Sequence, residues 1–300
     1  LSGSPEYLEA AKWCSAKFEE WGIKPAGNGS YFQYFPNAYT EVYSPGSFSF
    51  TNLSGETVHY KFPEDYYPGS NSASGNVSGE LVYVGYGITV PELGYDDYKN
   101  MDVKGKIVIL ESGIPYTKND SILQKWTPYA YHRYKFENAI KHGAKGLLYV
   151  GKIANPNTSH NEGFIYVHIA VQVAEDIFAA AGKDYKQVKE SLNDMNPASF
   201  KLPAGLKVEI SAQTKHFPDV QSCNVTALIE GTDPVLKKEV IIVGGHLDGQ
   251  GYLGKVFPSA LDNASGVADI LGAAKALAQS EVKPKRSVLF ILFGGEECGL

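Results

Sequence analysis

The sequence predicts an α/β protein with a largely parallel sheet, and three segments near its C-terminus carry this prediction. Residues 241–243 (IIV) and 287–293 (SVLFILF) are short apolar runs, and residues 265–280 place apolar side chains on one face of a helix. Short apolar runs indicate buried strands, and helical spacing indicates an amphipathic helix. A strand, a helix and a strand in that order form a parallel pair joined by a right-handed crossover. We therefore expect residues 241–243 to form a central strand.

An imidazole and four carboxylates follow these predicted elements closely. They are His246, Asp248, Asp262, Glu296 and Glu297. Because ligands in such sheets gather at the carboxyl ends of the strands, we expect these side chains to converge at one edge. Each alone is typical of a solvated surface group. The set offers nitrogen and oxygen donors without a thiolate, which indicates a catalytic rather than a structural zinc site.

The spacing of these residues also suggests that they have different roles. Asp248 follows His246 by two residues on an extended chain, so it points to the same side and can orient the imidazole ring. The side chains of Glu296 and Glu297 diverge because the two residues are adjacent. One of them can bind metal while the other accepts and donates protons.

The rest of the chain predicts a helix, then strands, then a second strand-rich region. Ser4 and Pro5 start an N-terminal helix that ends at Gly22. Strands follow over 31–62, and the polar stretch 63–79 indicates a linker. Beyond it, strands begin at residue 80, and helical patterns cover 134–142 and 174–192.

Three C-terminal motifs resemble those of the M28 family of zinc peptidases. They are His246-x-Asp248, Asp262-Asn-x-Ser-Gly266 and Glu296-Glu-x-Gly-Leu300. In the middle of the chain, residues 103–110 (VKGKIVIL) and 136–150 (FENAIKHGAKGLLYV) are similar to the protease-associated (PA) domain that is often inserted in these peptidases.

This double resemblance implies a fold and a domain organisation. The fold is a zinc-peptidase α/β/α domain with a mixed, largely parallel sheet, interrupted by a β-rich PA domain. Residues 1–77 and 216–300 would form the peptidase domain, and residues 78–215 would form the inserted one.

The resemblance also implies roles for the five site residues. His246 would bind one zinc ion, Asp262 would bridge two, and Glu297 would bind the other. Glu296 would be the general base, with Asp248 as the partner of His246. The peptide bond between Asp262 and Asn263 would be cis. The implied protein is a di-zinc aminopeptidase that is secreted or periplasmic and releases amino-terminal residues from peptides.

The family uses two further ligands, an Asp and then a His, on the C-terminal side of the Glu-Glu pair. The sequence ends at Leu300, and it begins at Leu1 inside what resembles the first family motif. We therefore expect a segment of a longer protein, and we expect the 300-residue segment by itself to be inactive.

Several alternative functions remain open from the sequence. A carboxypeptidase of the same family shares these ligands, although Asn263 favours the aminopeptidase type. A glutaminyl cyclase usually lacks the inserted domain. A non-catalytic binding protein on a peptidase scaffold is disfavoured by the intact site residues. A serine hydrolase is disfavoured because Ser265 lacks the Gly-x-Ser-x-Gly turn.

Composition limits the partners. The net charge of −6 and the isoelectric point near 5.7 argue against binding to nucleic acid. No run of 18 apolar residues occurs, so we expect no membrane span. The three cysteines, Cys14, Cys223 and Cys298, form neither a disulfide framework nor a Cys-x-x-Cys zinc pair.

Overall fold

The computed structural model describes residues 1–154, 156–192 and 195–299, and it confirms the α/β class. The chain forms two compact units. The first unit combines residues 1–39, 217–252 and 256–300. The second unit combines residues 40–216 and 253–255.

The helices and strands of the described residues are as follows. The helices are α1 (Pro5–Glu20), α2 (Leu123–Ala130), α3 (His132–Lys141), α4 (Val171–Ala180), α5 (Tyr185–Ser191) and α6 (Ser265–Gln279). The strands are β1 (Lys24–Pro25), β2 (Phe32–Pro36), β3 (Tyr39–Thr51), β4 (Thr57–His59), β5 (Tyr66–Pro68), β6 (Gly75–Tyr83), β7 (Thr89–Val90), β8 (Tyr95–Asp96), β9 (Ile107–Glu111), β10 (Gly146–Val150), β11 (Ile165–Ile169), β12 (Phe200–Lys201), β13 (Lys207–Phe217), β14 (Gln221–Ile229), β15 (Val240–His246) and β16 (Ser287–Phe293).

The first unit contains a mixed sheet in the order β1-β14-β16-β15, with β2 also paired to β14. Strands β15 and β16 run parallel, so the predicted strand-helix-strand unit is confirmed. The pairs that β14 forms with β1, β2 and β16 are antiparallel. The sheet is therefore mixed as expected, but within the described residues only one of its pairs is parallel.

The prediction that residues 241–243 form a central strand is wrong for the described part of the chain. There, β15 pairs with β16 alone and lies at the edge of the sheet. Ile241 and Ile242 are 49% and 64% exposed. An apolar run predicts a strand that tends to be buried, but it does not say which neighbouring segments would bury it.

Two helices build the core of the first unit against the sheet. Helix α1 begins as predicted, with the Ser4 side chain accepting a hydrogen bond from the Tyr7 amide at 3.2 Å. Helix α6 covers residues 265–279, one residue short of the predicted end. The rings of Phe18 from α1 and Phe290 from β16 lie 6.2 Å apart in the core. Both side chains are fully buried.

The second unit is built on a nine-stranded sheet. Strands β6, β9, β10 and β11 form its parallel centre. Strands β3, β4 and β5 belong to the same sheet. This compact unit begins at Thr40 and includes more of the chain than the inserted PA domain expected over residues 78–215. The stretch 63–79 that we interpreted as a linker contains β5 and the start of β6, because its Ser and Gly residues form turns between short strands.

The predicted helix over 174–192 consists of two helices in the structure. Gly182 has a φ of +69°, which ends α4. The Asp184 side chain then caps α5 by accepting from the Gln187 amide at 3.2 Å. Across the described ranges, we find no helix with the length and apolar character needed to cross a bilayer.

The core of the first unit generates a stability prediction. Phe290→Ala should lower the free energy of unfolding by about 3–5 kcal/mol, because it opens a cavity where α1 meets the sheet. Val282→Ala is the control, since Val282 is 81% exposed and should change stability by less than about 0.5 kcal/mol. Urea unfolding followed by fluorescence measures both values, and equal values would contradict this packing.

Candidate metal centre

Three of the five predicted site residues form a compact cluster of possible metal ligands. Ligand atoms of His246, Asp262 and Glu297 all lie within 4.8 Å of one another. The His246 Nε2 atom lies 3.0 Å from Asp262 Oδ1. Glu296 is beside them, with its Oε2 atom 3.9 Å from the same nitrogen. The structure thus brings together the groups that the sequence placed at one sheet edge.

The sheet register explains how distant residues reach this cluster. In the parallel pair, His246 lies opposite Phe293, so β15 and β16 end side by side. The turn that carries Glu297 begins directly after Phe293. The Leu247 amide then donates to the Phe293 carbonyl at 2.7 Å, which ties the two strand ends together.

Asp262 lies in the irregular turn Ala260–Ala264, immediately before α6. The peptide bond between Asp262 and Asn263 is cis, as the family resemblance implied. The Asn263 Oδ1 atom accepts a hydrogen bond from the Gly266 amide at 3.2 Å. This bond satisfies a free amide of the first turn of α6, and it holds the loop that presents Asp262.

The backbone of Asp248 orients the imidazole ring. The His246 Nδ1 atom lies 3.1 Å from the Asp248 carbonyl oxygen and donates to it, which leaves Nε2 facing Asp262. The Asp248 carboxylate, which we expected to orient the ring, lies 3.7 Å from Nδ1. The orienting contact therefore comes from the residue predicted, but from its main chain.

The carboxylate of Asp248 has a different contact. Its two oxygens accept hydrogen bonds from the backbone amides of Glu296 and Glu297, each at 3.2 Å. Asp248 is only 1% exposed. One buried residue thus fixes both the imidazole and the turn that carries the two glutamates. Hydrogen bonds to a charged acceptor are stronger than those between neutral groups.

The electrostatics of the cluster favour a bound cation. Burial raises the pKa of Glu297, and the nearby charges of Asp262, Asp248 and Glu296 raise it further. Burial also raises the pKa of Asp248, although the amides of Glu297 and Glu296 oppose this. These carboxylates repel one another, and a divalent cation among them would relieve the repulsion.

The imidazole responds to the same charges. Burial by itself would lower the pKa of His246. Its hydrogen bond to the Asp248 carbonyl and the carboxylates of Glu296, Asp248 and Asp262 outweigh burial and raise that pKa. One imidazole nitrogen with carboxylate oxygens and no thiolate is a donor set that fits zinc in a catalytic site.

Two family models match the chain. The model for peptidase family M28 matches residues 224–300, and the PA-domain model matches residues 77–177. Residues 224–300 are thus similar to peptidase family M28, and residues 77–177 are similar to a PA domain. The M28 match contains His246, Asp262, Glu296 and Glu297. Leu300, the last residue of the third motif, lies outside the described residues.

Solved structures share the fold. An aminopeptidase from Aneurinibacillus sp. strain AM-1 matches with a TM-score of 0.63 at 23% identity. A peptidase M28 precursor from Shewanella amazonensis SB2B matches with a TM-score of 0.61 at 19% identity. BSAP, a zinc aminopeptidase from Bacillus subtilis, matches with a TM-score of 0.51 at 18% identity.

These matches cover this chain completely but cover only part of the other proteins. The covered shares of the three structures are 60%, 61% and 58%. The chain therefore spans about three fifths of the length of each. The M28 and PA resemblances found in the sequence are confirmed.

The role of Asp248 generates a prediction about metal binding. In Asp248→Asn, one carboxylate oxygen becomes an NH₂ group, which cannot accept from the glutamate amides. We expect the whole protein to bind zinc about 10–100-fold more weakly, as is typical when a group that supports a ligand is lost. Competition with a chromogenic chelator measures this affinity.

Asp269→Asn is the matched control for that measurement. Asp269 is exposed on α6, so the same chemical change there should leave zinc affinity unchanged. Equal affinities for both variants and the unmodified protein would show that Asp248 does not hold the ligand turn.

Proposed function

We propose that the whole protein is a zinc-dependent aminopeptidase. The observation that carries this proposal is the convergence of His246, Asp262 and Glu297 within 4.8 Å, with the Glu296 carboxylate beside them. Three ligand groups and one additional carboxylate supply two things that metal-assisted hydrolysis uses, namely metal ligands and a group that can accept a proton.

Different residues of the chain would bind the metal and orient the imidazole ring. His246, Asp262 and Glu297 would hold the zinc. Zinc, when bound, supplies Lewis-acid polarisation of the scissile carbonyl and lowers the pKa of a water molecule. The Asp248 carbonyl keeps the His246 Nε2 atom facing the ligand cluster.

Glu296 is the proposed general base. The Asp248 carboxylate accepts a hydrogen bond from the Glu296 backbone amide. The Glu296 side chain is 54% exposed and has room to reach a water molecule. A Glu296 carboxylate oxygen would accept a proton from the attacking water and return it to the leaving amine. The adjacent Glu297 belongs to the ligand cluster, and Glu296 Oε2 lies 3.9 Å from His246 Nε2.

Support for the substrate class comes from the comparisons. The described fold is shared with proteins named as aminopeptidases, one of them as a zinc aminopeptidase. Asn263 directly follows the proposed bridging residue, which favours the aminopeptidase type over the carboxypeptidase. We propose peptides with a free amino terminus as substrates and an extracytoplasmic location for the enzyme.

The proposal predicts a separation between turnover and zinc content. Glu296→Gln should reduce turnover by about 10²-fold or more, because the amide cannot accept the proton, while zinc content stays near that of the unmodified protein. His246→Ala should lower zinc content as well as turnover. Glu281→Gln, an exposed glutamate outside the cluster, is the control and should change neither.

The assay uses the whole protein with an aminoacyl chromogenic substrate, its N-acetylated form, and peptides blocked at the C-terminus. Metal analysis accompanies each rate. We expect cleavage only with a free amino terminus, loss on chelation and recovery with zinc. Release of C-terminal residues would instead establish a carboxypeptidase. Full turnover by Glu296→Gln would show that the base is misassigned.

A further inference from the structure

Gly294, the residue between β16 and the glutamate turn, is held from two sides by residues outside the ligand cluster. Its backbone amide donates to the Asn224 side chain, with Oδ1 at 3.0 Å. Asn224 lies in the middle of β14, the strand next to β16. The Asn224 side chain thus ties the start of the turn to the neighbouring strand.

Gly294 also lies close to helix α1 and to the backbone and side chains of β14. A Cβ atom at residue 294 would lie 2.5 Å from the Tyr7 hydroxyl, 2.9 Å from the Cys223 carbonyl and 3.0 Å from Ser222 Oγ. No side chain fits there, so glycine is needed for close approach. The Tyr7 hydroxyl is fixed in turn by donating to the Cys223 carbonyl at 2.6 Å. Tyr7 is 3% exposed.

We propose that Asn224 and Tyr7 are positioning residues, which set where the turn starts and thereby where the carboxylates of Glu296 and Glu297 lie. The expected effect of these residues on kcat rests on the proposed function. The expected effect on zinc affinity requires only that Glu297 is a metal ligand.

The turn needs both sets of contacts. Asp248 holds the amides of Glu296 and Glu297, and Asn224 holds the amide of Gly294. Gly295, with a φ of +90°, lies between these anchors and can adopt many conformations. If the Asn224 contact is lost, the turn can pivot about Asp248. Misplacing a catalytic group by about 1 Å can cost about 10²-fold in rate.

A purely structural role for Asn224 makes a different prediction. Its Nδ2 atom also donates to the Gln33 side chain of β2, at 3.1 Å. If Asn224 only joined two strands, removing Gln33 would have the same effect as removing Asn224. The two contacts use different atoms of one side chain, so they can be tested separately.

The first experiment measures kcat, KM and zinc affinity for three variants of the whole protein. For Asn224→Ala, we expect kcat to fall about 10-fold or more with KM within about twofold, and zinc to bind about 10-fold more weakly. Asn224→Asp keeps the acceptor for Gly294 and should recover most of both values. Gln33→Ala should match the unmodified protein.

The second experiment tests Tyr7 with a matched tyrosine. Tyr7→Phe removes the hydroxyl beside Gly294. Tyr31→Phe removes a hydroxyl that donates to the Ile23 carbonyl, a backbone acceptor outside the turn, at the same distance of 2.6 Å. Both variants should lose similar stability, about 1 kcal/mol each. Only Tyr7→Phe should lower kcat and zinc affinity.

The outcomes separate the two proposals. If the unmodified protein has no peptidase activity, the proposed function fails, and zinc affinity still decides the inference. If it is active, and Asn224→Ala retains its kcat and zinc affinity, the positioning role is overturned. Equal losses for Asn224→Ala and Gln33→Ala would assign Asn224 to strand pairing alone.

Discussion

The candidate metal centre depends on one buried residue that joins two strand ends. The Asp248 carbonyl oxygen accepts a hydrogen bond from His246 Nδ1, and the Asp248 carboxylate accepts hydrogen bonds from the amides of Glu296 and Glu297. Three of the proposed functional groups are thereby fixed relative to one another. Because the carboxylate is buried, losing one of its partners would leave a charge without solvation, which makes the arrangement cooperative.

The rest of the first unit provides the conditions for this interaction. Parallel pairing brings the ends of β15 and β16 together, and packing of Phe18 on Phe290 holds α1 against β16. Helix α1 also contributes Tyr7, which lies beneath the turn. Burial and the nearby charges of Asp262, Asp248 and Glu296 raise the pKa of Glu297, so the fold holds these carboxylates in an arrangement that a cation would stabilise.

The sequence predicted several of the elements that carry strong periodicity. Strand β16 and the cap at Ser4 agree with the structure, as does the meeting of His246, Asp262 and Glu297. The edge position of β15 and the strands within residues 63–79 were missed, because pairing partners are not encoded locally. The contacts of Asn224 and Tyr7 with Gly294 were also missed, since they join residues 70 or more positions apart.

The most direct test of this account is an anomalous diffraction map, collected at the zinc absorption edge, from crystals of the whole protein grown with zinc. The account predicts anomalous density within bonding distance, about 2.0–2.2 Å, of His246 Nε2 and of carboxylate oxygens of Asp262 and Glu297. It also predicts that the Asp248 carboxylate remains on the two glutamate amides and does not bind the metal. Zinc bound elsewhere, or Asp248 as a direct ligand in place of Glu297, would contradict it.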